Sequence, residues 1–94
     1  MKTKYKIIYE KSFRRSYKLL KKRRYDMALL DDVILKLANG KTLPPKYRDH
    51  PLRGDRRGYR DCHIKDDWVL IYKIDKGFLI LILSETGTHS DLLE

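Results

Sequence analysis

The chain has 94 residues, which is room for one small domain over residues 1–94, and 41% of them are apolar or aromatic, so a disordered polycation is excluded. Its 22 Lys and Arg residues against 13 Asp and Glu residues give a formal net charge of +9. A single cysteine excludes an internal disulfide, and the longest apolar run is far shorter than the ~20 residues of a membrane-spanning helix.

The first third of the chain predicts a strand followed by a basic helix. Residues 5–9 (YKIIY) are rich in β-branched and aromatic residues, which is typical of a strand. Ser12 is placed to cap a helix over residues 12–24, whose apolar side chains recur at helical spacing on one narrow stripe. Basic residues occupy the rest of this helix.

A second helix and a long loop follow. Asp26 is a candidate cap, and the i, i+3, i+4 pattern of apolar residues predicts a helix that ends at Asn39 and Gly40. Residues 41–58 contain all three prolines and two of the five glycines. We therefore expect an irregular loop there, and loops of this length are usually functional or disordered.

Three strands are predicted in the last third, over residues 59–64, 68–74 and 78–84, with a short hairpin at 75–77. The order β-α-α-β-β-β predicts an α+β domain with one mainly antiparallel sheet and two helices packed on one face. The first strand is expected to join that sheet, because a lone strand leaves its backbone hydrogen bonds unsatisfied.

Charge is unevenly distributed along the chain. Residues 1–24 contain eleven Lys and Arg residues and one Glu, whereas residues 61–94 contain three basic and seven acidic residues. A basic patch favours a polyanionic partner such as nucleic acid or an acidic protein segment, although a lysine-rich helix that only aids solubility has the same charge. The lack of disulfide and signal-peptide features predicts a cytoplasmic protein with no membrane partner.

The predicted strand 59–64 presents two groups suited to proton transfer. Alternation places Asp61 and His63 on the open face of the sheet, with Cys62 and Ile64 on the core face. All three histidines lie in the second half of the chain, and histidine is the side chain best placed for proton transfer near neutrality. Exposed polar residues on an open sheet face are the ordinary alternative.

Neighbouring residues extend this candidate site. Asp67 and Trp68 open the next strand, and the indole is either a stacking platform for a base or a core residue. Gly87 would let the chain leave the last strand and return His89 to the same face.

Other kinds of site are disfavoured. The spacing of the histidines matches no zinc motif, so we expect no metal or other cofactor. Gly54 and Gly58 stand among arginines without the lysine and hydroxyl of a phosphate-binding loop. Cys62 points towards the predicted core, which disfavours a nucleophilic role.

Three segments carry a family resemblance: LPPKYRDHPL at 43–52, GYRDCHIKDDWVLIY at 58–72 and TGTHSDLL at 86–93. Together they closely resemble the YafQ branch of the RelE/ParE toxin superfamily, which are ribosome-dependent mRNA interferases of bacterial type II toxin–antitoxin pairs. The resemblance implies metal-independent cleavage of translated mRNA and the same α+β fold. The residues that match the family's catalytic positions are His50, His63, Asp67 and His89. The residues expected to support the site or contact RNA are Asp61, Trp68 and four arginines, Arg53, Arg56, Arg57 and Arg60.

We hypothesise that His50 and Asp67 transfer or orient a proton at the nucleophile, that His89 is the general acid and that His63 contacts the phosphate. The sequence leaves open which histidine is the base and which is the acid. The resemblance also implies partners. The expected partners are a DinJ- or RelB-like antitoxin, the ribosome with its mRNA, and operator DNA bound as the toxin–antitoxin complex. The family tends to have an aromatic residue near the C-terminus, where this chain has Leu92, Leu93 and Glu94. A ParE-like inhibitor of DNA gyrase and a plain RNA-binding module are the alternatives.

Overall fold

A five-stranded sheet forms the centre of the computed structural model, which describes residues 3–93 apart from the side chain of Leu93. The sheet order is β1-β5-β4-β3-β2, where β1 lies parallel to β5 and all other neighbours are antiparallel. The strands are β1 (Lys6–Tyr9), β2 (His50–Pro51), β3 (Arg60–Lys65), β4 (Trp68–Asp75) and β5 (Ile80–Thr88). The predicted α+β class and the predicted entry of the first strand into the sheet are both confirmed.

Two helices, α1 (Lys11–Lys22) and α2 (Met27–Ala38), contribute to a single core with the sheet. Phe13 and Leu20 are the buried residues of the basic helix α1, as its narrow apolar stripe predicts. Cys62 and Ile64 belong to the same core, so the predicted core face of β3 is confirmed. None of the helices within residues 3–93 is long and apolar enough to cross a membrane.

The start of α1 differs from the prediction. The helix begins at Lys11, Glu10 occupies the capping position, and Ser12 lies inside the first turn. The Ser12 hydroxyl donates to the Ser84 carbonyl at 2.6 Å, which ties α1 to β5. The predicted cap at Ser12 is therefore wrong, because a tertiary partner captures the hydroxyl. At the end of α2, Gly40 does adopt the left-handed conformation expected of it, with φ +75°.

The predicted loop at 41–58 is more ordered than its composition indicates. It contains two short 3-10 helices, Pro45–Tyr47 and Gly54–Arg56, and the two-residue strand β2 between them. Buried Leu43 and Tyr47 anchor it to the core. A strand of two residues has no periodicity for a sequence pattern to show, but it fixes His50 opposite Asp61 in the sheet.

The last strand is longer than predicted. β5 does not end at Ser84 or turn back at Gly87 but runs to Thr88, paired with Trp68 at the start of β4. The short helix α3 (His89–Leu93) follows directly. Because the eight residues of β4 offer backbone partners along their whole length, the glycine stays in the ladder and His89 is carried to its position by the strand itself.

Candidate active site

Three histidines meet around one aspartate on the sheet face opposite the large helices. We call His50, Asp61, His63 and His89 the histidine cluster. His50 lies opposite Asp61 in the pairing of β2 with β3, and His63 lies two residues further along β3. The rings of His63 and His89 have centroids 6.0 Å apart and planes inclined by 28°. The predicted convergence of the histidines is thus seen in the structure, although not by the predicted turn at Gly87.

Backbone groups orient two of the three imidazoles. His50 Nδ1 lies 2.8 Å from the Arg48 carbonyl oxygen, and His63 Nδ1 lies 3.3 Å from that of Asp66. A carbonyl oxygen only accepts, so both Nδ1 atoms carry a proton and the free nitrogen of each neutral ring is Nε2. Asp66 can offer its carbonyl because it turns the chain with φ +49° between β3 and β4.

The backbone also fixes His89. Its N–H donates to the Asp67 carbonyl at 2.7 Å, immediately after β5 ends. The ring is half-buried beside His63. Leu92, one turn further along α3, packs near Gly87. A Cβ atom placed on this glycine would lie 3.7 Å from the Leu92 side chain. Leu93 and Glu94, the other positions where the family's aromatic residue was expected, lie outside the described side chains.

Asp61 is buried, contrary to the prediction of an exposed carboxylate. Its side chain has no solvent exposure, and its Oδ2 lies 3.5 Å from His50 Nε2. Burial raises the pKa of this carboxyl above its ordinary value, while the nearby histidines His50, His63 and His89 act in the opposite direction. Strand alternation identified the correct face, but not that this part of the face is covered.

The four arginines separate into different environments. Arg56 forms an ion pair with Glu85 of β5, with 3.4 Å between Nη2 and Oε1. Glu85 lies opposite Ile71 in the pairing of β4 with β5. Arg60 lies on the other face of β3, as strand alternation indicates, and its Nε lies 3.1 Å from Asp49 Oδ1. Its expected role in supporting the site or contacting RNA stays a prediction. Arg53 and Arg57 are exposed and have no ion-pair partner among residues 3–93.

Trp68 is a core residue and not a stacking platform. Only 5% of it is exposed, its Nε1–H donates to Thr86 Oγ1 at 2.9 Å, and its ring meets Tyr25 edge-on at 5.1 Å. A base therefore has no open indole face to stack on. Of the two alternatives given for Trp68, a stacking platform and a core residue, the structure shows the core residue, and a supporting role for the site stays a prediction.

Asp67 stands apart from the other predicted catalytic residues. Its carbonyl anchors His89, but within the described part of the chain its carboxylate forms no hydrogen bond or ion pair. The residue is exposed and lines a cavity of about 320 Å³ together with Tyr25, Leu29 and Trp68. Its carboxylate stays a predicted participant that the structure does not bring into contact with the histidines.

Sequence reasoning missed Glu85 as a member of this face. Glu85, Gly87 and His89 are spaced by two residues, so extending the strand pattern to Thr88 would have placed Glu85 beside the site. No group of three or more His, Cys, Asp or Glu residues within the described range is arranged to hold a metal ion.

Comparisons with known proteins agree with this geometry. Residues 5–94 match the family of YafQ, described as a bacterial toxin of type II toxin–antitoxin systems. The chain is 43% identical over 88 residues to the mRNA interferase toxin YafQ of Escherichia coli K12, covering 92% of each. It superposes on YafQ in an E. coli DinJ–YafQ complex with TM-score 0.88, 40% identity and coverage of 96% and 99%.

A metal-bound toxin from Helicobacter pylori is equally similar, with TM-score 0.88 and 40% identity over 95% of this chain and 99% of that one. A family model that spans nearly the whole chain and relatives of this identity settle the classification. The chain belongs to the YafQ family of bacterial type II toxin–antitoxin toxins.

Proposed function

We propose that this chain is a ribosome-dependent mRNA interferase that cleaves translated mRNA by metal-independent attack of a ribose 2′-hydroxyl on the adjacent phosphodiester. The observation that carries the proposal is the pair of imidazoles, His63 and His89, 6.0 Å apart on an open sheet face. Two imidazoles at this separation can flank one phosphate, with one ring at the nucleophile and the other at the leaving group. The E. coli relative is named an mRNA interferase, which supports the same chemistry.

The hydrogen bonds favour His63 as the base. Its Nδ1–H is held by the Asp66 carbonyl, so Nε2 is the free acceptor for the 2′-hydroxyl proton. As that proton moves to Nε2, the 2′-oxygen attacks phosphorus and the bond to the 5′-oxygen breaks. His89, protonated, returns a proton to the 5′-oxygen, so one proton is taken up and one is given. The products are a 2′,3′-cyclic phosphate and a free 5′-hydroxyl.

This assignment differs from the sequence-based hypothesis in the roles of His50, His63 and Asp67. His50 and Asp67 were assigned to the nucleophile and His63 to the phosphate. The free nitrogen of His50, Nε2, however, lies 3.5 Å from Asp61 Oδ2. His50 is therefore better placed to contact phosphate than to accept a proton. His89 keeps its role as the acid.

Exposed cations supply the remaining binding energy in this proposal. Arg53 and Arg57 stand on the loop that carries His50, and α1 contributes a further row of Lys and Arg side chains. Contacts of this kind bind phosphates without sequence preference and weaken as salt rises. They suit ribosomal RNA and the mRNA backbone better than base recognition.

The proposal is tested by inducing the chain in cells and mapping mRNA 5′ ends while measuring plasmid supercoiling. We expect new ends within translated regions and unchanged supercoiling, and we expect the ends to disappear in the His89→Ala variant. Altered supercoiling with intact mRNA would instead indicate a ParE-like gyrase inhibitor. Ribosome binding with intact mRNA would indicate an RNA-binding module without catalysis.

We also propose that an antitoxin of the DinJ kind covers an apolar groove between β1, α1 and α2. The groove has a volume of about 610 Å³ and is lined by exposed or half-exposed side chains that include Ile7, Tyr9 and Leu35. Arg14 and Lys18 stand at its margin, which suits an amphipathic segment with acidic side chains. An E. coli relative is known in complex with DinJ, and such a complex is the form expected to bind operator DNA.

Leu35→Glu is expected to weaken binding of the co-encoded antitoxin by at least ~10-fold without reducing RNA cleavage. Leu35 is 54% exposed in the groove, so the variant should fold, but it places a carboxylate against the apolar and acidic groups of the partner. Titration calorimetry of both proteins measures the effect. Leu19→Glu, on a leucine outside the groove that is 48% exposed, is the matched control. Equal affinity of the two variants would place the antitoxin elsewhere.

A further inference from the structure

Asp61 is a buried carboxyl group that the proposed reaction does not use directly. Neither of its oxygens has a hydrogen-bond partner among the described residues, and its side chain has no exposure to solvent. The residue opposite it on β4 is Ile71, which is also fully buried. A carboxylate in such surroundings is strongly disfavoured unless a positive charge or a proton compensates it.

His50 is the compensating group nearest to Asp61. Its Nδ1–H is already donated to the Arg48 carbonyl, and its Nε2 lies 3.5 Å from Asp61 Oδ2. If the ring were neutral and the carboxyl ionised, two lone pairs would face each other at a buried site. Adding one proton, either to Nε2 or to the carboxyl, replaces this repulsion with an attraction.

The other charged groups around Asp61 do not remove the need for that proton. His63 on β3 and His89 after β5 face it, but their ring nitrogens form no hydrogen bond with it. Asp49, just before β2, adds negative charge, although Arg60 forms an ion pair with it and the Tyr72 hydroxyl donates a hydrogen bond to it. On β5, Glu85 is paired with Arg56, and β4 contributes only the apolar Val69 and Ile71 to this part of the face.

We propose that Asp61 and His50 hold one proton between them, so that His50 enters the reaction as a proton-bearing group that stabilises the phosphate and not as a base. This inference rests on the proposed RNA cleavage and deepens it. Asp61 is a positioning residue in this scheme: it acts through His50 and touches no RNA. As negative charge develops on the phosphate, it draws the shared proton from Asp61 to His50 Nε2. The net charge of the pair is unchanged, but its positive end is then the half-exposed ring of His50 and its negative end is the buried carboxylate of Asp61.

The shared proton can be observed without RNA by NMR on the isotope-labelled full-length chain at neutral pH. Nitrogen-15 shifts report which ring nitrogens of His50 carry a proton, and the carbon-13 shift of the Asp61 carboxyl reports its ionisation. We expect one of two patterns, an imidazolium with a carboxylate or a neutral ring with a carboxylic acid. A neutral His50 ring together with an ionised Asp61 would overturn the inference.

The Asp61→Asn variant tests whether the shared proton contributes to RNA cleavage. An amide cannot share a proton as a carboxyl group does, so we expect His50 to be a neutral ring whose Nε2 carries no proton, and RNA cleavage to fall by ~10- to 100-fold. Asp32→Asn is the matched control, since Asp32 is an exposed aspartate of α2 that pairs with Lys36 and lies outside the histidine cluster. A His50 ring that titrates identically in wild type and Asp61→Asn would overturn the inference.

Failure of the proposed function gives a different result. If the chain does not cleave RNA, the NMR pattern of His50 and Asp61 is unaffected and still tests the shared proton. If the chain cleaves RNA but the pair holds no proton, the cleavage proposal stands and only the role of Asp61 falls. The ring signals of His63 and His89 report in both cases that the cluster is folded.

Discussion

Replacing His63 with glutamine is expected to lower the rate of RNA cleavage by ~10²- to 10⁴-fold, the usual contribution of a well-placed general base. The structure gives a specific reason for this size of effect. The Asp66 carbonyl holds Nδ1–H of His63, so the ring is fixed with Nε2 as its proton acceptor. Glutamine is similar in size and polarity but cannot accept a proton from a hydroxyl at neutral pH.

Single-turnover cleavage of mRNA on programmed ribosomes is the measurement, with ribosome affinity determined separately by sedimentation. We expect the affinity to change by less than ~3-fold, because the basic side chains of α1 and the loop are untouched. Ser90→Ala is the control, since Ser90 is exposed beside His89 and outside the histidine cluster. A His63→Gln variant that cleaves at the wild-type rate would assign the base to another group.

Much of this fold could be predicted from short-range patterns. The apolar stripes of α1 and α2 and the strands of the last third follow spacings of 3.6 and 2 residues, which report burial on one side of an element. Asp61 and His63 were assigned to one face by the same rule, and the structure confirms that assignment. Periodicity identifies the face of an element, but it does not explain the convergence of His50, His63 and His89, because β2 has only two residues and β5 runs beyond its predicted end.

The predictions from sequence are wrong where contacts between distant parts of the chain determine the local structure. Ser12 was taken for a cap, but the Ser84 carbonyl captures its hydroxyl across the fold. The extension of β5 to Thr88 depends on backbone partners on β4, which local sequence does not show. Asp61 was expected to be exposed because strand alternation places it on the open face of the sheet, and only the assembled site reveals its burial.

The packing of Trp68 against Tyr25 and its hydrogen bond to Thr86 stabilise the fold. Replacing Trp68 therefore has the largest expected effect on the free energy of unfolding. Trp68→Ala is expected to lower the free energy of unfolding by ~3–5 kcal/mol, as is typical when a buried tryptophan is truncated. The cost has two sources: the cavity left against Tyr25, and the loss of the indole N–H that Thr86 Oγ1 accepts at 2.9 Å. Thermal unfolding should shift by ~4–8 °C for each kcal/mol in a domain of this size.

The milder Trp68→Leu variant separates support of the fold from contact with RNA. Leucine fills part of the space and cannot stack on a base, so it removes any platform while leaving the variant folded. Since only 5% of Trp68 is exposed, we expect cleavage per folded molecule to stay within ~3-fold of wild type while the unfolding temperature falls. Circular dichroism determines the folded fraction, and single-turnover cleavage is then scaled to it. A folded Trp68→Leu variant that cleaves more than ~10-fold slower would mean that the indole leaves the core to meet RNA on the ribosome.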